Sequence, residues 1–335
     1  MKNIIISVLN FLAASLVIFT FSVSCSKWTE PKNLDFRRKT IEQENPEKYD
    51  SYLEDLRDYK ESEHKIMVVT MKGVSNVPSS QSQHIMAMPD SADYICVDVV
   101  GNLNNTIAKE IPQVRQKKGT KVLLLIDYER INKAWGLLED ARSDKGQKPA
   151  TMEEMIAFFK EKTNEQLENC KKYGFDGLMV SYHGNTSTPY AEKSQIAYIS
   201  SVKEFHTSNP DLILAFRGSA RNIVDMDFLK EFKFITIIAG EEKKLSVLPG
   251  RILGRYAPKD RVVMELTVPS LDDPKQKGVA PIDGASWVLS EKNEEYTILG
   301  LSVFNAQDDY FCKQMSFKNI RKAISKMNSR EETNE

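Results

Sequence analysis

The stretch "GFDGLMVSYHG", residues 174–184, indicates how the chain is expected to fold. Its centre, "LMV", is apolar, as in a strand covered on both faces, and the polar residues "SYHG" follow directly. The preceding stretch has apolar residues at helical spacing, begins with Thr151 and Glu154 as a capping box, and ends at Gly174. A helix that leads into a buried strand is typical of an α/β protein.

Seven further apolar runs repeat this pattern within residues 63–326. They read "HKIMVVTMKG", "DYICVDVVGN", "TKVLLLIDY", "DLILAFRG", "KFITIIAG", "RVVMELTVPS" and "YTILGLSVFNAQDDY". Eight strands, most of them separated by helices, predict parallel pairing with right-handed crossovers. The span is close to the roughly 250 residues of a (β/α)8 TIM barrel, so we predict that α/β fold as a single domain. A doubly wound open sheet is the alternative. However, none of the predicted strands is followed by the GxGxxG turn that a Rossmann sheet would carry.

The N-terminus is expected to be a lipoprotein signal peptide, residues 1–24. Lys2 is followed by an almost uncharged run that ends just before Cys25, the residue expected to carry the lipid. An uncleaved membrane anchor is the alternative, because roughly 20 apolar residues suffice to cross a bilayer. We therefore expect a protein of the cell envelope, lipid-anchored to either face of the outer membrane. Residues 25–62 are interpreted as a tether and leading helix, and residues 327–335 as a disordered tail.

The composition argues against several classes of function. The chain has 335 residues, of which 41% are hydrophobic and 28% charged, and its formal net charge is -1. Since nucleic-acid binding calls for a basic face or stripe, we expect no nucleic-acid partner. The sequence contains no P-loop, HExxH, GxSxG or CxxC motif, so neither a metal nor an organic cofactor is expected.

Candidate ligand-binding residues follow the apolar runs, because a TIM barrel binds ligands at the C-terminal ends of its strands. They are polar or aromatic: Asp127, Tyr128, Tyr182, His183, Arg217, Glu265, Asn305, Asp308 and Tyr310. Amides and carboxylates bond to hydroxyl groups and aromatic faces cover sugar rings, so this lining favours a carbohydrate. Trp135 and Trp287 fall in predicted loops after strands three and seven, where they would either stack on a sugar or pack in the core.

Two segments resemble glycoside hydrolase family 18, namely "DLRDYKESEHKIMVV" before the first strand and "KKYGFDGLMVSYHG" at the fourth. More narrowly, residues 25–326 are similar to Bacteroidetes lipoproteins of that family that are related to endo-β-N-acetylglucosaminidases. The segment "CSKWTEP", which begins at Cys25, resembles the mature start of those lipoproteins. The resemblance implies a barrel that handles glycans containing N-acetylglucosamine, such as N-glycans.

The fourth strand of active members carries the signature D-G-x-D-x-D-x-E. By this resemblance, the glutamate is the general acid and the aspartate two residues earlier orients the substrate's N-acetyl group, whose oxygen attacks the anomeric carbon. In this chain, Asp176 and Gly177 match the first two positions. Met179 and Ser181 replace the two aspartates, and His183 replaces the glutamate. The fold signature is present, but its catalytic carboxylates are absent.

These substitutions leave three hypotheses. The first is a non-catalytic, lipid-anchored protein that binds glycans and passes them to partner endoglycosidases and to an outer-membrane importer with its binding protein. The second is a diverged endo-β-N-acetylglucosaminidase that cleaves N-glycan or chitin-like β-1,4 linkages. Its non-standard acid would be His183, since an imidazolium donates a proton, or else Glu265 or Asp308. The third is a structural accessory of a surface complex that touches no sugar.

Overall fold

The structure, a computed structural model, describes residues 40–74 and 77–329. The chain divides into two compact units, residues 1–51 and 52–335. Of the first unit, the described part holds one short helix and the beginning of a second. All strands of the described residues belong to the second unit.

Three predictions concern residues outside the described ranges. They are the signal peptide over residues 1–24, the lipid on Cys25 and most of the tail over residues 327–335. The helix predicted within residues 25–62 is present as Pro46–Glu61.

Eight parallel strands close into a barrel in sequence order. They are β1 (Ile66–Val74), β2 (Tyr94–Val99), β3 (Lys121–Asp127), β4 (Gly177–Tyr182), β5 (Ile213–Gly218), β6 (Phe234–Ile238), β7 (Val262–Leu266) and β8 (Ile298–Val303). The pairing of β1 with β8 completes the ring and rules out the open sheet. The predicted (β/α)8 TIM barrel is confirmed.

Helices follow most strands and cover the outside of the barrel. Those of the described residues are α1 (Ile41–Glu44), α2 (Pro46–Glu61), α3 (Asn105–Lys118), α4 (Tyr128–Asp144), α5 (Met152–Tyr173), α6 (Pro189–Thr207), α7 (Leu248–Leu253), α8 (Pro281–Ser290) and α9 (Lys318–Asn328). Helix α5 begins with the predicted capping box, and Gly174 ends it in the left-handed conformation. Helix α9 extends past residue 326, where the barrel was predicted to end. Within residues 40–74 and 77–329, no helix has the length and apolar character needed to span a bilayer.

The inside of the barrel is apolar towards the N-terminal ends of the strands. Successive side chains of a strand point to opposite faces, so every second residue points inward. The inward side chains form one buried cluster: Val68, Tyr94, Cys96, Leu123, Leu125, Met179, Ala215, Phe234 and Val263. Met179, at a motif position where the family has an aspartate, is thus a core residue and only 1% exposed.

Asp176 lies at the N-terminal end of β4, at the opposite end of the barrel from the predicted binding residues. Its backbone N–H donates to Val122 O, and its Oδ2 accepts from Val122 N–H, both at 2.8 Å. Its Oδ1 lies 2.6 Å from Nε of Arg115 on α3. The next residue, Gly177, has no side chain, and β5 passes so close that a Cβ at this position would lie 2.1 Å from Ile213 O. Both matching motif residues therefore hold β4 in place.

Candidate functional site

The barrel interior becomes polar towards the C-terminal ends of the strands. Beyond the apolar cluster, the inward positions are buried polar side chains: Thr70, Ser181, Arg217, Thr236, Glu265 and Ser302. Ser181 and Arg217 face each other across β4 and β5, while Glu265 comes from β7. His183 follows β4 directly. The strand register thus brings four predicted site residues into one cluster.

Arg217 is the centre of this cluster and is 7% exposed. Its Nε and Nη2 donate to Oε2 and Oε1 of Glu265 at 2.7 and 2.6 Å. Its Nη1 lies 3.1 Å from Ser181 Oγ and 2.9 Å from His183 Nε2, and its Cζ lies 4.0 Å from the ring centroid of Phe304. Burial alone would lower the pKa of Arg217, but the Glu265 carboxylate outweighs burial and raises it.

His183 is a hydrogen-bond acceptor at Nε2. A guanidinium has only donors, so Nε2 accepts from Arg217 Nη1 and carries no proton itself. Ser181 Oγ, which accepts from the same Nη1, lies 3.1 Å from Nε2. The His183 side chain is exposed on its outer side, but its Nε2 edge contacts the buried cluster. Burial, and then the charge of Arg217, lower the pKa of His183 to about 4.

These contacts decide which groups of the cluster can transfer a proton. At neutral pH the imidazole of His183 is unprotonated, because its pKa lies near 4. Both carboxylate oxygens of Glu265 accept hydrogen bonds from Arg217, so both act as acceptors within the cluster. Neither side chain is therefore placed as a general acid.

The β3 side of the mouth carries two further carboxyl groups. Asp127 is the N-cap of α4, and its Oδ1 accepts from Glu129 N–H at 3.1 Å. Glu129 Oε1 accepts from His183 N–H at 3.3 Å. Burial raises the pKa of both carboxyl groups. Next to them, Arg130 forms an ion pair with Asp98 at the end of β2.

Two predicted aromatic ligands point away from the mouth. Tyr128 and Tyr182 are 3% and 0% exposed, and their rings pack 4.8 Å apart in the core between strands and helices. Their side chains are therefore not accessible to a ligand. The two tryptophans lie on helices rather than in the predicted loops, Trp135 on α4 and Trp287 on α8, and both pack against the core.

The three predicted residues after β8 have mainly structural contacts. Asn305 bonds to both backbone groups of Val268, at 2.9 Å to N–H and 2.8 Å to O, and thereby ties the end of β8 to the chain beyond β7. Its Nδ2 also donates to Asp308 Oδ2 at 2.9 Å. Tyr310 is partly buried, with its ring 5.4 Å from that of Phe317. Asp308 and Asn305 line an open cavity at the rim, and Tyr310 does not.

In residues 40–74 and 77–329, no three His, Cys, Asp or Glu side chains are grouped to hold a metal ion.

Comparison with known proteins assigns the chain to a family. The model of "Glycoside hydrolase family 18, BT1044-like" matches residues 29–239. No curated protein sequence matches the chain. Among solved structures, a selenomethionine-labelled variant of BT1044 is 17% identical, with a TM-score of 0.60 over 87% of this chain and 96% of its own.

Two structures of a fungal enzyme share the fold as well. The apo endo-β-N-acetylglucosaminidase from Cordyceps militaris is 15% identical, with a TM-score of 0.58 over 83% of this chain and 96% of its own. A double variant of that enzyme, in complex with fucosyl-N-acetylglucosamine-Asn, is 16% identical, with a TM-score of 0.58 over 82% and 95%. With a family model that matches more than half of its length, this chain belongs to glycoside hydrolase family 18.

Proposed function

We propose that this family 18 chain is a non-catalytic, lipid-anchored protein of the cell envelope that binds N-acetylglucosamine-containing glycans of the N-glycan type. The observation that carries the proposal is the contact of Arg217 Nη1 with both Ser181 and His183. By the family signature, these are the positions of the orienting aspartate and of the general acid. A buried cation lies where the catalytic mechanism needs an acid and a negative charge.

Substrate-assisted hydrolysis needs a proton donor for the leaving group and a group that orients and stabilises the reacting acetamide. General acid catalysis contributes about 10²–10⁴-fold to such rates. In the cluster, Arg217 and Glu265 neutralise each other, while His183 and Ser181 are uncharged at neutral pH. None of the four supplies a mobile proton or an unpaired negative charge.

The same mouth is suited to binding sugar hydroxyl groups. The ring proton of His183 resides on Nδ1, which has no hydrogen-bond partner among the described residues and is thus a free donor. Glu129 and Asp127 present carboxyl oxygens on the adjacent side, and Phe304 is a partly buried aromatic ring on the far side. Sugar recognition uses this mixture of donors, acceptors and aromatic surface. The related fungal enzyme was crystallised with fucosyl-N-acetylglucosamine-Asn, which supports the same class of ligand here.

The location and partners of the protein belong to the same proposal. The N-terminal sequence up to Cys25 supports a lipid anchor in the outer membrane, on its surface or periplasmic face. A lipid-anchored binder of this kind would pass glycans to partner endoglycosidases and to an outer-membrane importer with its binding protein.

The proposal is tested with the full-length protein in detergent. The protein is incubated with high-mannose and complex N-glycoproteins, and mass spectrometry monitors cleavage between the two core N-acetylglucosamines. In parallel, the released glycans are titrated against the protein by calorimetry. We expect binding without cleavage, and weaker binding for His183→Ala, which removes the free donor. Cleavage by the purified protein contradicts the proposal, and absence of binding to any glycan favours the structural accessory.

A second candidate is a diverged endo-β-N-acetylglucosaminidase that uses a non-standard acid, and one observation favours it. Glu129 Oε1 bonds to the backbone N–H of His183, so its carboxyl group lies next to the position of the lost acid. Burial raises the pKa of Glu129, which favours the protonated form that a general acid requires. The acids predicted from the sequence fit less well, because Glu265 is bound by Arg217 and Asp308 is bonded to Asn305.

The two candidates are separated by one matched pair of variants. If the protein cleaves glycans, Glu129→Gln should reduce turnover about 10²–10⁴-fold, the value of a general acid, with little change in binding. Asp211→Asn is the control, since it neutralises one exposed carboxyl group just before β5, at the other end of the barrel. Equal activity of Glu129→Gln and the wild-type protein would exclude Glu129 as the acid.

A further inference from the structure

We propose that a cavity beside the barrel mouth binds an acidic substituent of the glycan, a carboxylate or a sulfate ester. The cavity measures about 230 Å³ and lies between the ends of β1, β7 and β8. Its charged and aromatic lining consists of Lys72, Lys275, Lys277, Asp273, Asp308 and Phe304. The inference rests on the proposed function, since it specifies which class of glycan the mouth accepts.

The charges of this lining are unequal. Lys277 Nζ lies 3.0 Å from Asp273 Oδ2, so these two neutralise each other. Asp308, whose Oδ2 accepts a hydrogen bond from Asn305, is the one other carboxylate in the lining. Lys72 and Lys275 form no ion pair with any carboxylate of the described residues. Two unpaired ammonium groups therefore face a single carboxylate, and the cavity has a positive excess.

Phe304 connects the cavity to the buried cluster. The Nζ of Lys72 lies 5.3 Å from the ring centroid of Phe304, within the range of a cation–π contact. Arg217 stacks on the same ring at 4.0 Å. A glycan bound over the cluster would thus place a neighbouring substituent near Lys72.

The opposite side of the mouth has the reverse polarity. Asp127 and Glu129 lie at the end of β3, and Asp98 is already paired with Arg130. An acidic sugar would be repelled from the β3 side and attracted to the cavity at β1, β7 and β8. A neutral glycan gains nothing from the unpaired lysines. The polarity of the mouth thus both selects an acidic glycan and sets its direction.

The experiment compares two pairs of glycans that differ only in charge. The first pair is a sialylated biantennary N-glycan and its desialylated form, and the second is 6-O-sulfated N-acetyllactosamine and its unsulfated form. Dissociation constants are measured for the full-length protein by calorimetry, at about 0.01 M and about 1 M salt. We expect the protein to bind at least one acidic form about fivefold more tightly, the upper range for an exposed ion pair, and to lose this preference at high salt. The two pairs distinguish a carboxylate from a sulfate.

Charge-neutralising variants locate the effect. Lys72→Gln and Lys275→Gln together should abolish the preference, so that the acidic and neutral forms bind equally. Lys121→Gln is the control, because this exposed lysine begins β3 at the other end of the barrel. Circular dichroism verifies that each variant is folded. Equal binding of acidic and neutral forms overturns this inference alone, and absence of binding to all four glycans overturns it together with the proposed function.

Discussion

At the scale of single residues, the guanidinium of Arg217 determines the chemistry of the mouth. It binds both oxygens of Glu265, and through Nη1 it makes His183 Nε2 an acceptor. Position 183 alone does not reveal this, since a histidine is equally able to donate a proton. Glu265 is 48 residues away from Arg217 in the sequence, and only the closed barrel brings them together. Their contact was therefore beyond what the sequence predicts.

The first prediction concerns the buried ion pair. Arg217→Met should lower the free energy of unfolding by about 3–5 kcal/mol, because it leaves the Glu265 carboxylate buried and unpaired. The double variant Arg217→Met/Glu265→Leu should lose less than this single variant, since no charge remains in the interior. Urea denaturation of the wild type and the variants measures these differences. Additive losses in the double variant would show that the pair is not coupled.

The second prediction is a pH dependence that arises from His183. Its pKa is about 4 in the folded protein and 6.5 in the reference state, so between these values only the unfolded chain binds the proton. Stability is thus complete above pH 6.5 and falls as the pH decreases towards 4. Over this interval the wild type should lose more stability than His183→Gln, as measured by denaturation at a series of pH values. A histidine signal in the NMR spectrum that can be assigned to residue 183 and titrates near 6.5 would contradict the buried acceptor role.

At the scale of elements, the strands were predictable, but the helices α4 and α8 were not. The short apolar runs between helical stretches correspond to β1–β8, because strands covered on both faces need apolar residues throughout. The residues from Asp127 to Glu129 resemble the polar end of a strand, yet α4 begins at Tyr128. The sequence signal for the start of α4 was Asp127, a residue type favoured at the N-cap, followed by a glutamate in the first turn. Without that helix, Tyr128 was assigned to the mouth, although its side chain is buried in the core.

The third prediction tests the close packing of β4 against β5. Gly177→Ala should destabilise the protein by about 1–3 kcal/mol or more, since the added Cβ would lie 2.1 Å from Ile213 O. Gly136→Ala in α4 is the matched control, because a Cβ at that position meets nothing within 4 Å. A helix-interior alanine should stabilise by about 0.5–1 kcal/mol. Thermal unfolding of both variants gives the two opposite shifts, and an unchanged Gly177→Ala protein would contradict the packing argument.

At the scale of the whole molecule, the two ends of the barrel have different roles. Asp176 joins β3, β4 and α3 at the N-terminal end, and the proposed binding groups all lie at the C-terminal end. The sequence predicted this division, since the fold and the direction of the strands fix which residues come last in each strand. It did not predict which of those residues are buried, since this depends on how helices such as α4 pack on the strands.

The fourth prediction follows from this division. Asp176→Ala removes the acceptor for Val122 N–H and the partner of Arg115, and should cost about 1–3 kcal/mol of stability. Its affinity for glycans, measured by calorimetry well below the melting temperature, should equal that of the wild type. His183→Ala should show the opposite pattern, with weaker binding as its main effect. A large loss of affinity in Asp176→Ala would show that the two ends are not independent.

Under the proposed function, the arginine on β5 would also make hydrolysis difficult to introduce. A glutamate introduced at position 183 would place its carboxylate against Arg217 Nη1, where a salt bridge would keep it ionised and unable to protonate a leaving group. An engineered route to hydrolysis would have to exchange Arg217 as well, and this step alone would leave the carboxylate of Glu265 buried and unpaired. Under the proposed function, each intermediate on that route would be either inactive or less stable, so the two positions would have to change together.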